Sequence, residues 1–198
     1  MRVGVAALMA MAVLLSGIVQ AASWSQLPKK KQTSLGLYMS AAEAYKMVNK
    51  NPNDMVFLDI RTRAEVNFLG APTLVDANIP YMKLNEWYAW NEKNQNFKME
   101  VNSDFADDVA AKVAEKGLSK QNPIILICRS GTRSSKAADL LAKLGYTQVY
   151  SVVDGFEGDK AKQGKHKGQR VVNGWKNAGL PWSYKLVKAK MYKVGGDS

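Results

Sequence analysis

Residues 123–135 read PIILICRSGTRSS, and this stretch leaves the chain few ways to fold. Four consecutive apolar residues, Ile124 to Ile127, mostly β-branched, predict a short strand buried on both faces, as in the middle of a parallel sheet. The chain's single cysteine, Cys128, stands at the C-terminal end of that strand. Arg129, Ser130, Gly131, Thr132 and Arg133 follow, and then a helical pattern from Ser134 to Leu144 that Gly145 closes. A strand, a tight loop and a helix in that order put Cys128 over the helix N-terminus. Backbone N–H groups without partners and the positive end of the dipole favour an anion there. A thiolate is such an anion, and this setting favours it over the thiol. An oxyanion would be held by the same donors, with Arg129 and Arg133 adding formal charge. The plain alternative, a cysteine serving as a small buried hydrophobe, suits a mid-strand position better than one beside two arginines and a glycine.

The segment CRSGTRS resembles the active-site loop of the rhodanese family, sulfurtransferases that carry a sulfane sulfur on a cysteine as a persulfide. The related phosphatase loops place an arginine six residues after the cysteine, where this chain has Ser134. Arg133 lies one residue earlier, so the loop has the shorter sulfurtransferase form, a tighter cradle suited to a sulfur atom on the cysteine. Asp59-Ile60-Arg61 with Glu65 resembles the family's Asp-x-Arg and following glutamate, and Arg63 is a candidate partner for Glu65. Ala77-Asn78-Ile79-Pro80 resembles a further family element, although Gly70-Ala71-Pro72 stands where a glycine–histidine pair usually precedes it. Val153-Asp154-Gly155-Phe156 resembles the turn after the last strand, with Asp154 in place of a glycine and so at a position suited to a left-handed backbone. Residues 171–181, with Trp175 and Gly179-Leu180-Pro181, resemble the family's short terminal helix and closing turn.

The alternation of strands and helices predicts an α/β fold, and the resemblance implies a rhodanese-like central parallel sheet flanked by helices on both faces, spanning residues 39–183. It implies Cys128 as the nucleophile, with Arg129, Ser130, Gly131, Thr132, Arg133 and Ser134 forming the substrate-binding loop. Asp59 and Arg61 either shape the floor of the site or brace its loops as a structural ion pair. The expected activity moves sulfur from a small anionic donor such as thiosulfate, through a Cys128 persulfide, to a thiol or to cyanide. No cofactor and no metal are implied. The competing class is a module that carries sulfur or binds a partner without turnover.

Residues 1–22 read as a secretory signal: Arg2 precedes a nearly unbroken apolar run, and Val19-Gln20-Ala21 supplies small-residue cleavage geometry. Export to a periplasm follows, with no stable membrane anchor once the signal is cleaved; an uncleaved anchor is the alternative. In an oxidising compartment an unpaired thiol is a functional nucleophile or a liability. Residues 23–38 read as a lead-in and residues 184–198 as a basic tail. The net charge of +11 fits an anionic substrate or an acidic protein partner. Nucleic-acid binding has neither zinc-ligand spacing nor an arginine-studded recognition helix to support it. With one histidine and one cysteine, a His/Cys metal site or a Cys–His dyad close to Cys128 has little to be built from. Two insertions are expected. Residues 81–101, holding Trp87, Tyr88, Trp90 and Phe97, read as a flap packed on the domain or as a docking surface for a protein partner. Residues 158–170, rich in lysine and glycine, read as a mobile solvated loop or as a positive rim that steers anions to Cys128.

Overall fold

The computed structural model describes Trp24 and residues 26–195; the signal assigned to residues 1–22 lies outside the described residues. The strands, in chain order, begin with β1 (Tyr38–Met39), β2 (Val56–Asp59), β3 (Ala71–Pro72), β4 (Ala77–Asn78) and β5 (Met82–Leu84). They continue with β6 (Trp90–Asn91), β7 (Asn96–Phe97), β8 (Met99–Val101), β9 (Ile124–Ile127), β10 (Val149–Val152) and β11 (Trp182–Ser183). The α-helices are α1 (Ala41–Lys50), α2 (Arg63–Leu69), α3 (Phe105–Glu115) and α4 (Thr132–Lys143).

Five strands form one parallel sheet in the order β1-β10-β9-β2-β4. β9 is central, and all four of its residues are buried, as the continuous apolar run requires. Side chains alternate across a strand, and β9 sorts accordingly. Ile124, Leu126 and Cys128 join Phe105, Val109 and Val113 of α3 and Ala137, Ala138 and Leu141 of α4 on one face. Ile125 and Ile127 pack with Ala41, Ala44 and Val48 of α1, and with Phe57, Phe156 and Trp175, on the other. Helices therefore cover both faces, and the cysteine emerges on the α4 side where β9 ends.

Local chemistry fixes the helix starts. Ser40 and Glu43 form a reciprocal capping box at α1, and Thr62 and Glu65 form another at α2, each satisfying donors that the first helical turn leaves free. α4 begins at Thr132, two residues before the pattern from Ser134 predicts, because Gly131 in a left-handed conformation (φ 88°) turns the chain straight into the helix. α3 begins after Asp104 without a side-chain cap, and the Ser103 hydroxyl donates to the Asp104 carboxylate.

Three other expectations change. Residues 171–181 form turns rather than a terminal helix, anchored by the buried Trp175, whose indole N–H donates to the Pro181 carbonyl at 2.9 Å. Asp154 does not take a left-handed backbone. Its side chain is the reason for its place: the carboxylate accepts from the Ala41 N–H at 2.8 Å and the Gly174 N–H at 3.2 Å, tying α1 to the C-terminal turns. The aromatic insertion is a two-stranded ribbon, β5 pairing with β8 and β6 with β7, all antiparallel. Its aromatics pack on one another, Tyr88 and Trp90 each edge-on to Phe97. Trp87 is 88% exposed, so the tip projects from the domain instead of folding onto it.

The turn that follows β10 lies directly on the cysteine loop. The Phe156 N–H donates to the Cys128 carbonyl at 2.8 Å, and the Glu157 N–H to the Arg129 carbonyl at 3.0 Å. Gly155 makes this approach possible: a Cβ on it would sit 2.6 Å from Arg129 C and Ser130 N, and its φ of 66° also disfavours a side chain. Gly155→Ala is expected to destabilise the fold by about 2–4 kcal/mol, from left-handed strain plus forced backbone displacement; urea unfolding against the parent protein measures it.

Candidate active site

At the end of β9 the loop curls so that its amides face the sulfur. Cys128 Sγ accepts from the Gly131 N–H at 3.2 Å and from the Ser134 N–H at 3.4 Å. Ser134 Oγ lies 3.6 Å from the sulfur and 2.8 Å from Ser151 Oγ, and it also donates to the Gly131 carbonyl at 3.2 Å. These are first-turn donors with no intrahelical acceptor, and the sulfur fills that role. The cysteine is free and only 1% exposed, so the loop covers it. Gly131 is required here for a second reason: a Cβ on it would lie 2.1 Å from the Val153 carbonyl oxygen.

The two loop arginines have different surroundings. Arg133 gives both terminal nitrogens to Glu65, Nη1 to Oε2 at 2.6 Å and Nη2 to Oε1 at 2.5 Å. This bidentate pair clamps α4 to α2, and it replaces the Arg63–Glu65 pairing expected from sequence; Arg63 instead donates to the Lys193 carbonyl. Burial alone would raise the Glu65 carboxyl, but the hydrogen bonds and charge of Arg133 hold it below the usual carboxylate value. Burial likewise opposes the charge on Arg133, and Glu65, with a smaller contribution from Cys128, raises it instead. Arg129 keeps its side chain about half exposed and donates from Nε to Glu157.

Asp59 and Arg61 sit beneath the site, both fully buried. Arg61 Nε donates to Asp59 Oδ1 at 2.9 Å, and Nη2 reaches Asp59 Oδ2 at 2.5 Å and the Gly70 carbonyl at 2.8 Å. The Arg61 guanidinium also stacks 3.9 Å above the Phe156 ring, a favourable cation–π contact. Phe156 is the residue whose N–H holds the Cys128 carbonyl. The pair thus braces the cysteine loop from below without touching the sulfur.

Sequence reasoning did not find Ser151, Glu157 or Lys31 as neighbours of the site. Ser151 is a buried hydroxyl in an otherwise apolar strand, a signal that was present. Lys31 is 5% exposed; its ammonium donates to the Val153 carbonyl and to both Asp159 oxygens at 2.8 Å, so the lead-in is fastened across the site. Its position in a run of three lysines gave no hint of burial. His166 is exposed and bonds Gln169. Among the described residues, no group of three or more His, Cys, Asp or Glu side chains is arranged to hold a metal ion, and no helix is long and apolar enough to cross a membrane.

The domain is thus a parallel α/β sheet with one cysteine cradled by two loop amides at its carboxyl edge. The rhodanese-like domain family matches residues 40–162, and the chain belongs to that family. Uncharacterized protein RP600 of Rickettsia prowazekii is 30% identical over 144 residues, covering 73% of this chain and 94% of the relative. A thiosulfate sulfurtransferase GlpE from Tolumonas auensis is 39% identical over 41 residues, 21% of this chain and 39% of that protein. Among solved structures, Rv0390 from M. tuberculosis is similar with a TM-score of 0.53 at 28% identity, covering 75% of this chain and 97% of that one.

The Glu65–Arg133 clamp carries a pH signature. A depressed carboxyl stabilises the fold above its unfolded value, near 4.5, and loses that contribution as pH falls through the folded value. Glu65→Gln is expected to cost about 2 kcal/mol at pH 7, for a mostly buried pair. The difference from the parent should shrink as pH drops below the carboxylate range, as measured by denaturant unfolding at several pH values.

Proposed function

We propose that this protein is an exported sulfurtransferase that takes the outer sulfur of a donor such as thiosulfate onto Cys128 and passes it to a thiol. The observation that carries the reading is the pair of amides, from Gly131 and Ser134, aimed at Cys128 Sγ. Donors held in this way stabilise a thiolate and need no reorganisation as charge moves to an attached sulfur. The name of the GlpE relative, a thiosulfate sulfurtransferase, supports the choice of donor.

In the first step the Cys128 thiolate attacks the outer sulfur of thiosulfate. A bond forms between Sγ and that sulfur, the sulfur–sulfur bond of the donor breaks, and its electron pair leaves on sulfite. Three negative charges stand on each side, so no oxidant, metal or general base is consumed. The outer sulfur of the persulfide would be received by the remaining loop amides, those of Ser130 and Thr132 among them. Arg129, with its side chain about half exposed, would meet the sulfonate. Arg133, held by Glu65, contributes its field and keeps the loop in shape.

The second reading, a sulfur carrier or binding module without turnover, draws on the projecting ribbon, whose Trp87, Tyr88 and Trp90 are exposed; aromatic residues of this kind are enriched at interfaces. Turnover separates the two, since a carrier loads once.

Intact mass of the purified protein, before and after thiosulfate and then after cyanide, tests the proposal. The expected result is gain of one sulfur, its loss to cyanide with thiocyanate released, and repeated turnover; Cys128→Ser abolishes all three. Thiocyanate production by the serine variant overturns the mechanism.

A further inference from the structure

Beside the cysteine loop lies a cavity of about 820 Å³. Ser130 and Thr132 of the loop form part of its wall, while Cys128 itself does not. Its other walls come from two segments that the sulfur chemistry above leaves unused, the lead-in and residues 159–173. They bring five cations, Lys30, Lys31, Lys160, Lys162 and Arg170, against one carboxylate, Asp159. That carboxylate is already spent on Lys31. Lys30, Lys160 and Lys162 have no acidic partner among the described residues. Arg170 donates from Nη1 to the Gly158 carbonyl, but its Nε–H is buried with no acceptor among the described residues. Burial first, and then the charge of Arg129, push the Arg170 guanidinium down from its ordinary value.

Such a cluster is self-repulsive until an anion enters it. The 158–170 stretch is also more organised than a solvated loop requires: Lys160 bridges to Arg170 and Ala161 to Lys167. Gly158 packs so closely on Asn173 that a Cβ would lie 1.7 Å from its carbonyl oxygen. The cations are held at the rim of one cavity.

Thiosulfate needs only the small cradle around the sulfur. A cavity of this size matches a larger ligand, in the range of pockets that enclose small organic molecules. Trp24, Pro28, Val153 and Val172 add apolar wall, suited to a carbon frame between charges. We propose that the cavity is the acceptor subsite, and that it takes a low-molecular-weight thiol carrying two or more carboxylates on a peptide-sized frame. This rests on the sulfurtransferase reading. The acceptor's carboxylates sit among the lysines and Arg170, and its thiolate reaches the outer sulfur past Ser130 and Thr132. A bond forms between the acceptor sulfur and the outer sulfur, the bond from that sulfur to Cys128 Sγ breaks, and the electron pair returns to Cys128 as thiolate. Two negative charges stand before and after, and nothing is oxidised or reduced overall.

The test compares three acceptors with thiosulfate as donor in the full-length protein: cyanide, reduced glutathione, and glutathione diethyl ester, which keeps the thiol and masks both carboxylates. The parent should show a KM for glutathione about tenfold below that for the ester, the size expected of a few charge-assisted contacts at a partly exposed site. Lys160→Ala/Lys162→Ala, both exposed side chains outside the cysteine loop, should erase that preference and leave cyanide turnover unchanged. Equal KM values for glutathione and its ester in the parent, or equal losses for both in the variant, overturn the acceptor subsite. Absence of cyanide turnover in the parent overturns the sulfurtransferase reading, and the subsite with it.

Discussion

The site depends on one close backbone approach, the turn after β10 lying against the loop after β9. Two main-chain hydrogen bonds join them, from Phe156 and Glu157 to the carbonyls of Cys128 and Arg129. Gly131 and Gly155 leave no space between the two segments for a side chain. An amide cradle works only if its donors cannot relax toward other acceptors. Here the loop's carbonyls are held from one side while its amides converge on sulfur from the other. Parallel pairing of β9 with β10 fixes where both segments begin, so the central sheet is the ruler for the cradle.

Around this frame, three cations held out of water are met by carboxylates. Arg61 is met by Asp59, Arg133 by Glu65 and Lys31 by Asp159. Ion pairs taken out of water contribute little net stability, yet losing one member is costly. Their value here is positional: they lock α2 to α4, the lead-in to the C-terminal turns, and the floor to Phe156. Three lysines without an acidic partner among the described residues, Lys30, Lys160 and Lys162, line the cavity beside the loop.

Much of this was legible in the chain itself. The apolar run before Cys128 and the glycine three residues later dictate a buried strand, a tight turn and a helix, and the capping box at Ser40 marks a helix start to the residue. What could not be read was long-range pairing. Glu65 lies two residues from Arg63 and 68 from Arg133, and local spacing favours the nearer partner. Asp154 suggested a backbone conformation, when its carboxylate bridges two distant amides. Lys31 sits in a run of three lysines that reads as solvated, and only the fold brings Asp159 and the Val153 carbonyl to it. The ribbon's aromatics were equally ambiguous, because mutual packing and packing on a domain leave the same composition.

The ribbon of residues 82–101 shares no ladder with the parallel sheet. Its strands bond to one another, and its aromatic cluster is built from its own side chains. Cooperativity follows connected contacts, and regions with few of them open separately from the core. The molecule therefore has two clocks. The cradle is tied to the sheet that sets it, while the ribbon's ladders are its own, so opening of the ribbon is expected to leave the distance from an amide to the sulfur undisturbed.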